Sequence, residues 1–124
     1  MARVLVVEDI LAESELLGIV LKRAGHEVRT AATAWEAVRA FQQEHPDIAI
    51  LDIGLPDIDG YEFIRRLRQV DGLGATPVVA LTGYAMEGDR RRISESGFDK
   101  HLPKPVEPEQ LVTAIQEVLS RLKT

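Results

Sequence analysis

The sequence contains no cysteine. Disulfides, thiolate metal sites and cysteine nucleophiles are excluded, and a reducing compartment fits. No apolar run approaches the ~18 residues of a membrane span. Met1-Ala2-Arg3 leads directly into an apolar stretch too short for the core of a signal peptide. A cytoplasmic location without membrane contact is the expectation. Positive charge is not in excess either. The formal net charge is −5, a sign that argues against general nucleic-acid binding. The one basic run, Arg90-Arg91-Arg92, is flanked by Asp89 and Glu95 and reads as a solvated helix face. Linkers, low-complexity stretches and internal repeats are missing as well. What remains is 124 residues, 45% hydrophobic, enough for one ordinary core. The expectation is a single domain over residues 1–124 with no output domain.

Apolar runs and helical patterns alternate along the chain. Residues 4–7, 48–51 and 78–81 are continuously apolar, as strands covered on both faces are. Residues 27–31 alternate, and the stretch near 99–102 is short and polar, so these two strands belong at sheet edges. The pattern predicts a doubly wound α/β fold, flavodoxin-like, with five parallel strands in the order 2-1-3-4-5 and helices on both faces. The first helix is expected over residues 11–24, with Leu16, Leu17, Val20, Leu21 and Ala24 on one side and Gly25 as its cap. Thr33-Ala34-Trp35-Glu36 reads as a capping box opening the second helix, with Pro46 just beyond its end. Asp59-Gly60 turns into a third helix carrying Phe63, Ile64 and Leu67; Gly97 closes a fourth. Pro108 opens a fifth, striped by Leu111, Ile115, Val118 and Leu122. Asp57 and Asp59 read as turn residues, His26 and His45 as solvent-facing, and Trp35 carries no cofactor role.

Polar residues recur at the tips of the apolar runs: Glu8-Asp9, Asp52, Thr82 and, after the last short strand, Lys104. In the predicted order, a crevice opens at the carboxyl ends of the first and third strands. Glu8, Asp9 and Asp52 then converge. Two carboxylates ~4 Å apart repel by about 4 kcal/mol at an effective dielectric near 20. A cation among them removes that cost. Oxygen ligands without histidine or cysteine favour Mg²⁺, Mn²⁺ or Ca²⁺. Three carboxylates and Lys104 sum to −2, which one divalent ion neutralises, leaving room for one more anionic group. A carboxylate can attack phosphorus and form an acyl phosphate. Asp52, on the middle strand, is the best candidate nucleophile, with Lys104 and Thr82 to hold phosphoryl oxygens.

These pieces resemble a two-component response regulator receiver domain over nearly the full length. The matching stretches are Val6-Val7-Glu8-Asp9, Asp52 with Leu55-Pro56 and Asp59-Gly60, Leu81-Thr82-Gly83, Tyr84 to Gly97-Phe98-Asp99, and Lys104-Pro105. The resemblance implies that Asp52 accepts phosphate from a histidine kinase or a histidine phosphotransfer domain. It implies Mg²⁺ (or Mn²⁺) held by Asp9 directly, by Glu8, by Asp52 and by the backbone carbonyl of Gly54. It also implies a cis peptide at Lys104-Pro105 and a switch through Thr82 and the residue at His101. On this reading the chain is not an enzyme beyond its own phosphorylation and dephosphorylation. Its output is a contact with a downstream effector protein through the fourth helix, fifth strand and fifth helix. It is a monomer or weak homodimer.

Two places depart from the family. His101 stands where a Tyr or Phe is common, so coupling to the output surface is expected to be weaker or pH-dependent. Ile10 replaces a residue that is often polar. Gly54 leaves the phosphate open to water while Tyr84 shields it, two opposite effects on its lifetime. A receiver within a hybrid histidine kinase and a non-phosphorylated scaffold receiver are alternatives. A flavin or nucleotide binder is disfavoured, because Glu8-Asp9-Ile10-Leu11-Ala12-Glu13 is acidic where such proteins cradle phosphate.

Overall fold

The computed structural model describes residues 2–70, 74–83 and 97–122. Five parallel strands, β1 (Arg3–Val7), β2 (Glu27–Ala31), β3 (Ile48–Asp52), β4 (Val78–Thr82) and β5 (Lys100–Pro103), form one sheet in the order β2-β1-β3-β4-β5. The helices are α1 (Leu11–Arg23), α2 (Ala34–Gln43), α3 (Gly60–Leu67) and the C-terminal α4 (Pro108–Leu122). The last is the helix expected as the fifth. The helix expected before Gly97, its basic run with Asp89 and Glu95, and Tyr84 lie outside the described residues.

Residue parity explains the layering. Side chains alternate between the two faces of a strand. Val4 and Val6 of β1, Ile48 and Ile50 of β3, and Val79 and Leu81 of β4 pack with Leu17 and Leu21 of α1 and with Leu111, Ile115 and Val118 of α4. Leu5, Val7, Ala49, Leu51, Val78 and Ala80 face the other way, onto Ala37 and Phe41 of α2 and Phe63, Ile64 and Leu67 of α3. Both faces are dry, so the three inner strands need apolar residues at every position. That is why they are legible as continuous runs.

α1 ends as its sequence suggests. Gly25 has φ +94°, its N–H donates to Lys22 O, and the His26 N–H donates to Leu21 O, the paired bonds of a Schellman cap. Its buried stripe is Ser14, Leu17, Gly18 and Leu21. Leu16 and Ala24, expected inside, are exposed: Leu16 falls outside that i, i+3, i+4, i+7 row, and Ala24 is the C-cap, past the last residue of the helix. At α2, Thr33 accepts from the Glu36 N–H at 3.1 Å, while the Glu36 carboxylate reaches back to the Ala32 N–H at 2.8 Å. Trp35, just inside that cap, is 74% exposed.

Asp57 and Asp59 are more than turn residues. Asp59 caps α3 by accepting from the Tyr61 N–H at 2.7 Å. Asp57 crosses to α2 and accepts from the Ala34 and Trp35 N–H groups at 3.0 and 3.2 Å. A carboxylate at a helix N-terminus satisfies unpaired donors and the helix dipole together. The loop after β3 is thereby tied to α2. It is also held at Gly60, where an added Cβ would lie 2.6 Å from Ile53 Cα. His45 is exposed, its ring within bonding distance of the Thr76 hydroxyl. His26 is half-buried rather than solvent-facing: its Nδ1 accepts from the Ala2 N–H at 3.2 Å, and burial pushes its pKa down. Among the described residues, no helix is long and apolar enough to cross a membrane.

Candidate functional site

The carboxyl ends of β1, β3 and β5 meet beside the first turn of α1. β1 continues its ladder one step beyond the strand, with the Glu8 N–H donating to Ala31 O at 2.9 Å. Parity therefore keeps Glu8 on the face of Val4 and Val6. Asp52 shares that face with Ile48 and Ile50. Asp9, one residue later, falls on the opposite parity and is exposed. Glu8 and Asp52 are both buried. The Gly54 N–H donates to Asp52 Oδ1 at 3.0 Å, and the Ile10 N–H donates to Glu8 Oε1 at 3.1 Å.

Lys104 enters from the loop after β5. Its N–H donates to Thr82 O at 2.7 Å, and the peptide to Pro105 is cis. Its ammonium lies 2.9 Å from Asp52 Oδ2, 3.2 Å from Glu8 Oε2 and 3.0 Å from Glu13 Oε2. Thr82 is buried at the tip of β4, opposite Pro103. His101, half-buried, lies opposite Ala80 in the ladder.

The arrangement brings Glu8, Asp52 and Lys104 together as the sequence suggested, and adds Glu13. Oxygens of Glu8, Glu13 and Asp52 lie within 4.8 Å of one another, a group that could hold a metal ion. Asp9 is not in it. Glu13 was visible in the acidic segment after β1. Only the placement of α1 over the face shared by Glu8 and Asp52 shows that its carboxylate turns to the site.

The electrostatics follow from crowding. Burial, then the hydrogen bond and charge of Asp52, push Glu8 up to about 7. Burial opposes ionisation of Asp52 as well. Hydrogen bonds from Lys104, Glu8 and the Gly54 N–H outweigh it and hold that carboxyl below its usual range. Burial disfavours the Lys104 charge, but Asp52, Glu13 and Glu8 reverse this and raise its pKa. The site keeps one proton or gains one cation. Its donors are hard oxygens, which suit Mg²⁺.

A pH dependence follows. The folded pKa of Glu8 lies above its ordinary 4.5, so this group's contribution to stability is complete below 4.5 and is lost as pH rises through about 7. By linkage, the loss reaches on the order of 3 kcal/mol. Asp52 acts oppositely, and only in acid: its contribution is present above 3.8 and is lost as pH falls through its lowered folded value. Denaturant unfolding in EDTA should show lower stability at pH 8 than at pH 5.5, and Glu8→Gln should flatten that slope. An equal slope in the variant would remove Glu8 as the cause.

The comparisons with known proteins agree with this geometry. The family model for the response regulator receiver domain matches residues 4–116. The chain belongs to that family. It is 30% identical over 116 residues to the polar-differentiation response regulator DivK of Brucella ovis, covering 94% of each chain. A putative response regulator from Chloroflexus aurantiacus superposes with TM-score 0.91 at 36% identity, over 97% of this chain and 98% of that one. The signal receiver domain of a histidine kinase from Syntrophus aciditrophicus gives TM-score 0.90 at 31% identity, over 99% and 93%. The fold is the CheY-like receiver fold, and the chain is a receiver domain of two-component signalling.

Proposed function

We propose that Asp52 is a phosphoacceptor and that the chain works as a phosphorylation switch. The carrying observation is the contact of Lys104 with Asp52 at 2.9 Å in a buried carboxylate group. A carboxylate oxygen of Asp52 attacks the phosphorus of a phosphohistidine on a histidine kinase or histidine phosphotransfer domain. The P–N bond breaks and its electron pair leaves with the imidazole, which takes up a proton. Lys104 donates to a phosphoryl oxygen, and the Thr82 hydroxyl closes on another. Mg²⁺ or Mn²⁺, when bound, neutralises charge on the transferring group. Glu8, Asp52, the Gly54 carbonyl and the neighbouring Asp9 are the groups that would hold it.

The added charge of roughly −1.5 to −2 draws Thr82 inward. β5 and α4, joined by the Lys100–Glu117 ion pair, carry the change to a downstream effector protein, with His101 in the path. Leu11 and Leu16, exposed on α1 beside the site, offer apolar area to the phosphodonor protein. The reading places the protein in the cytoplasm with its kinase. A receiver within a hybrid histidine kinase would use the same residues, and the similar receiver domain of the Syntrophus aciditrophicus histidine kinase supports that second reading.

Acetyl phosphate with Mg²⁺ should add one phosphoryl group to the intact mass, and EDTA should prevent it. Labelling that is indifferent to EDTA would contradict the metal's part. An unchanged mass in Mg²⁺ would contradict the phosphoacceptor reading.

A further inference from the structure

An ammonium has three N–H donors, and carboxylates stand within reach of all three on Lys104: Asp52, Glu8 and Glu13. Before Lys104 can donate to a phosphoryl oxygen, one acceptor must be released. The three are not equally held. The Glu8 side chain is fully buried and that of Asp52 is 10% exposed, whereas that of Glu13 is 45% exposed. Leaving Lys104 would strand Glu8 without solvent, at a large desolvation cost. Glu13 can turn back into water. It stands in the first turn of α1 at the mouth of a cleft of about 340 Å³ that also takes in Glu8, Leu16, Leu81 and Lys104.

We propose that Glu13 is a positioning residue: it occupies the third donor of Lys104 in the resting protein and yields it to the phosphoryl group. This rests on the phosphoacceptor reading of Asp52. Glu13 thereby sets the affinity of the site for anions against its affinity for cations. Its charge, with an oxygen within 4.8 Å of one on Asp52, favours a divalent ion nearby. The same charge repels an arriving phosphoryl group and competes with it for Lys104.

The two effects have opposite signs, which separates this role from a structural one. The probes are Mg²⁺ alone, by calorimetry, and trifluoroberyllate at saturating Mg²⁺, by ¹⁹F NMR, as a mimic of the acyl phosphate. Glu13→Gln should bind trifluoroberyllate about three- to tenfold more tightly, the size expected of one partly screened charge. The same variant should bind Mg²⁺ several-fold more weakly. Glu13→Asp, which keeps the charge, should stay close to wild type in both. Equal or weaker trifluoroberyllate binding by Glu13→Gln overturns the proposal while leaving Asp52 as phosphoacceptor. A wild-type protein that neither binds trifluoroberyllate nor takes up phosphate overturns both.

Discussion

Asp52→Asn should take no phosphate from acetyl phosphate in Mg²⁺ while remaining folded. An amide oxygen is too weak a nucleophile to displace acetate from the phosphorus of acetyl phosphate, so incorporation at this position should fall to zero rather than merely slow. The fold should survive because asparagine keeps the shape. Its one side-chain oxygen can take over one of the two bonds, from the Gly54 N–H now at Oδ1 (3.0 Å) or from Lys104 now at Oδ2 (2.9 Å), and Lys104 keeps Glu8 and Glu13 as acceptors. Circular dichroism and a denaturant titration of the variant should therefore resemble wild type. A variant that keeps taking up phosphate at the wild-type rate would move the acceptor to another side chain.

Lys104→Met should have the next largest effect, on two quantities at once. Without the ammonium, Glu8, Asp52 and Glu13 face one another with no counter-charge. Removing one partner of a buried ion pair typically costs about 3–5 kcal/mol. The low end applies, because the Lys104 and Glu13 side chains are partly exposed. Unfolding in EDTA should show that loss, and Mg²⁺ should recover much of it by replacing the missing charge. Phosphorylation should not recover. Loss of one donor to a developing phosphoryl charge costs on the order of 10²–10³ in rate. A variant rescued by Mg²⁺ in both stability and rate would reduce Lys104 to a charge balance. Rescue of stability alone is the expected pattern.

Much of this is legible in the sequence. The inner strands announce themselves because both sheet faces are covered by helices, which requires uninterrupted apolar residues. The edge strands β2 and β5 differ for the complementary reason, each having one open edge. The strand order follows from that contrast. Asp52, Glu8 and Lys104 stand out because polar groups at the carboxyl ends of such strands converge on one crevice. Three features are harder to read, two of them because they depend on tertiary placement. Glu13 needs the position of α1 over one face of the sheet. The solvent-side position of Asp9 follows from strand parity carried one step past β1. Asp57 resembles any acidic turn residue until α2 brings its N–H groups alongside, 22 to 23 residues away in sequence. The outward-facing Leu16 is a simpler case: its side of α1 carries enough apolar residues to blur the true stripe.

The central claim, that Asp52 forms the acyl phosphate, is tested most directly by reducing the phosphorylated protein with borohydride and sequencing its peptides by mass spectrometry. An acyl phosphate on aspartate is reduced to homoserine. The account predicts homoserine at position 52 and nowhere else after treatment with acetyl phosphate and Mg²⁺, and none without the phosphodonor. Homoserine at Asp9 or another aspartate, with position 52 unchanged, would contradict it.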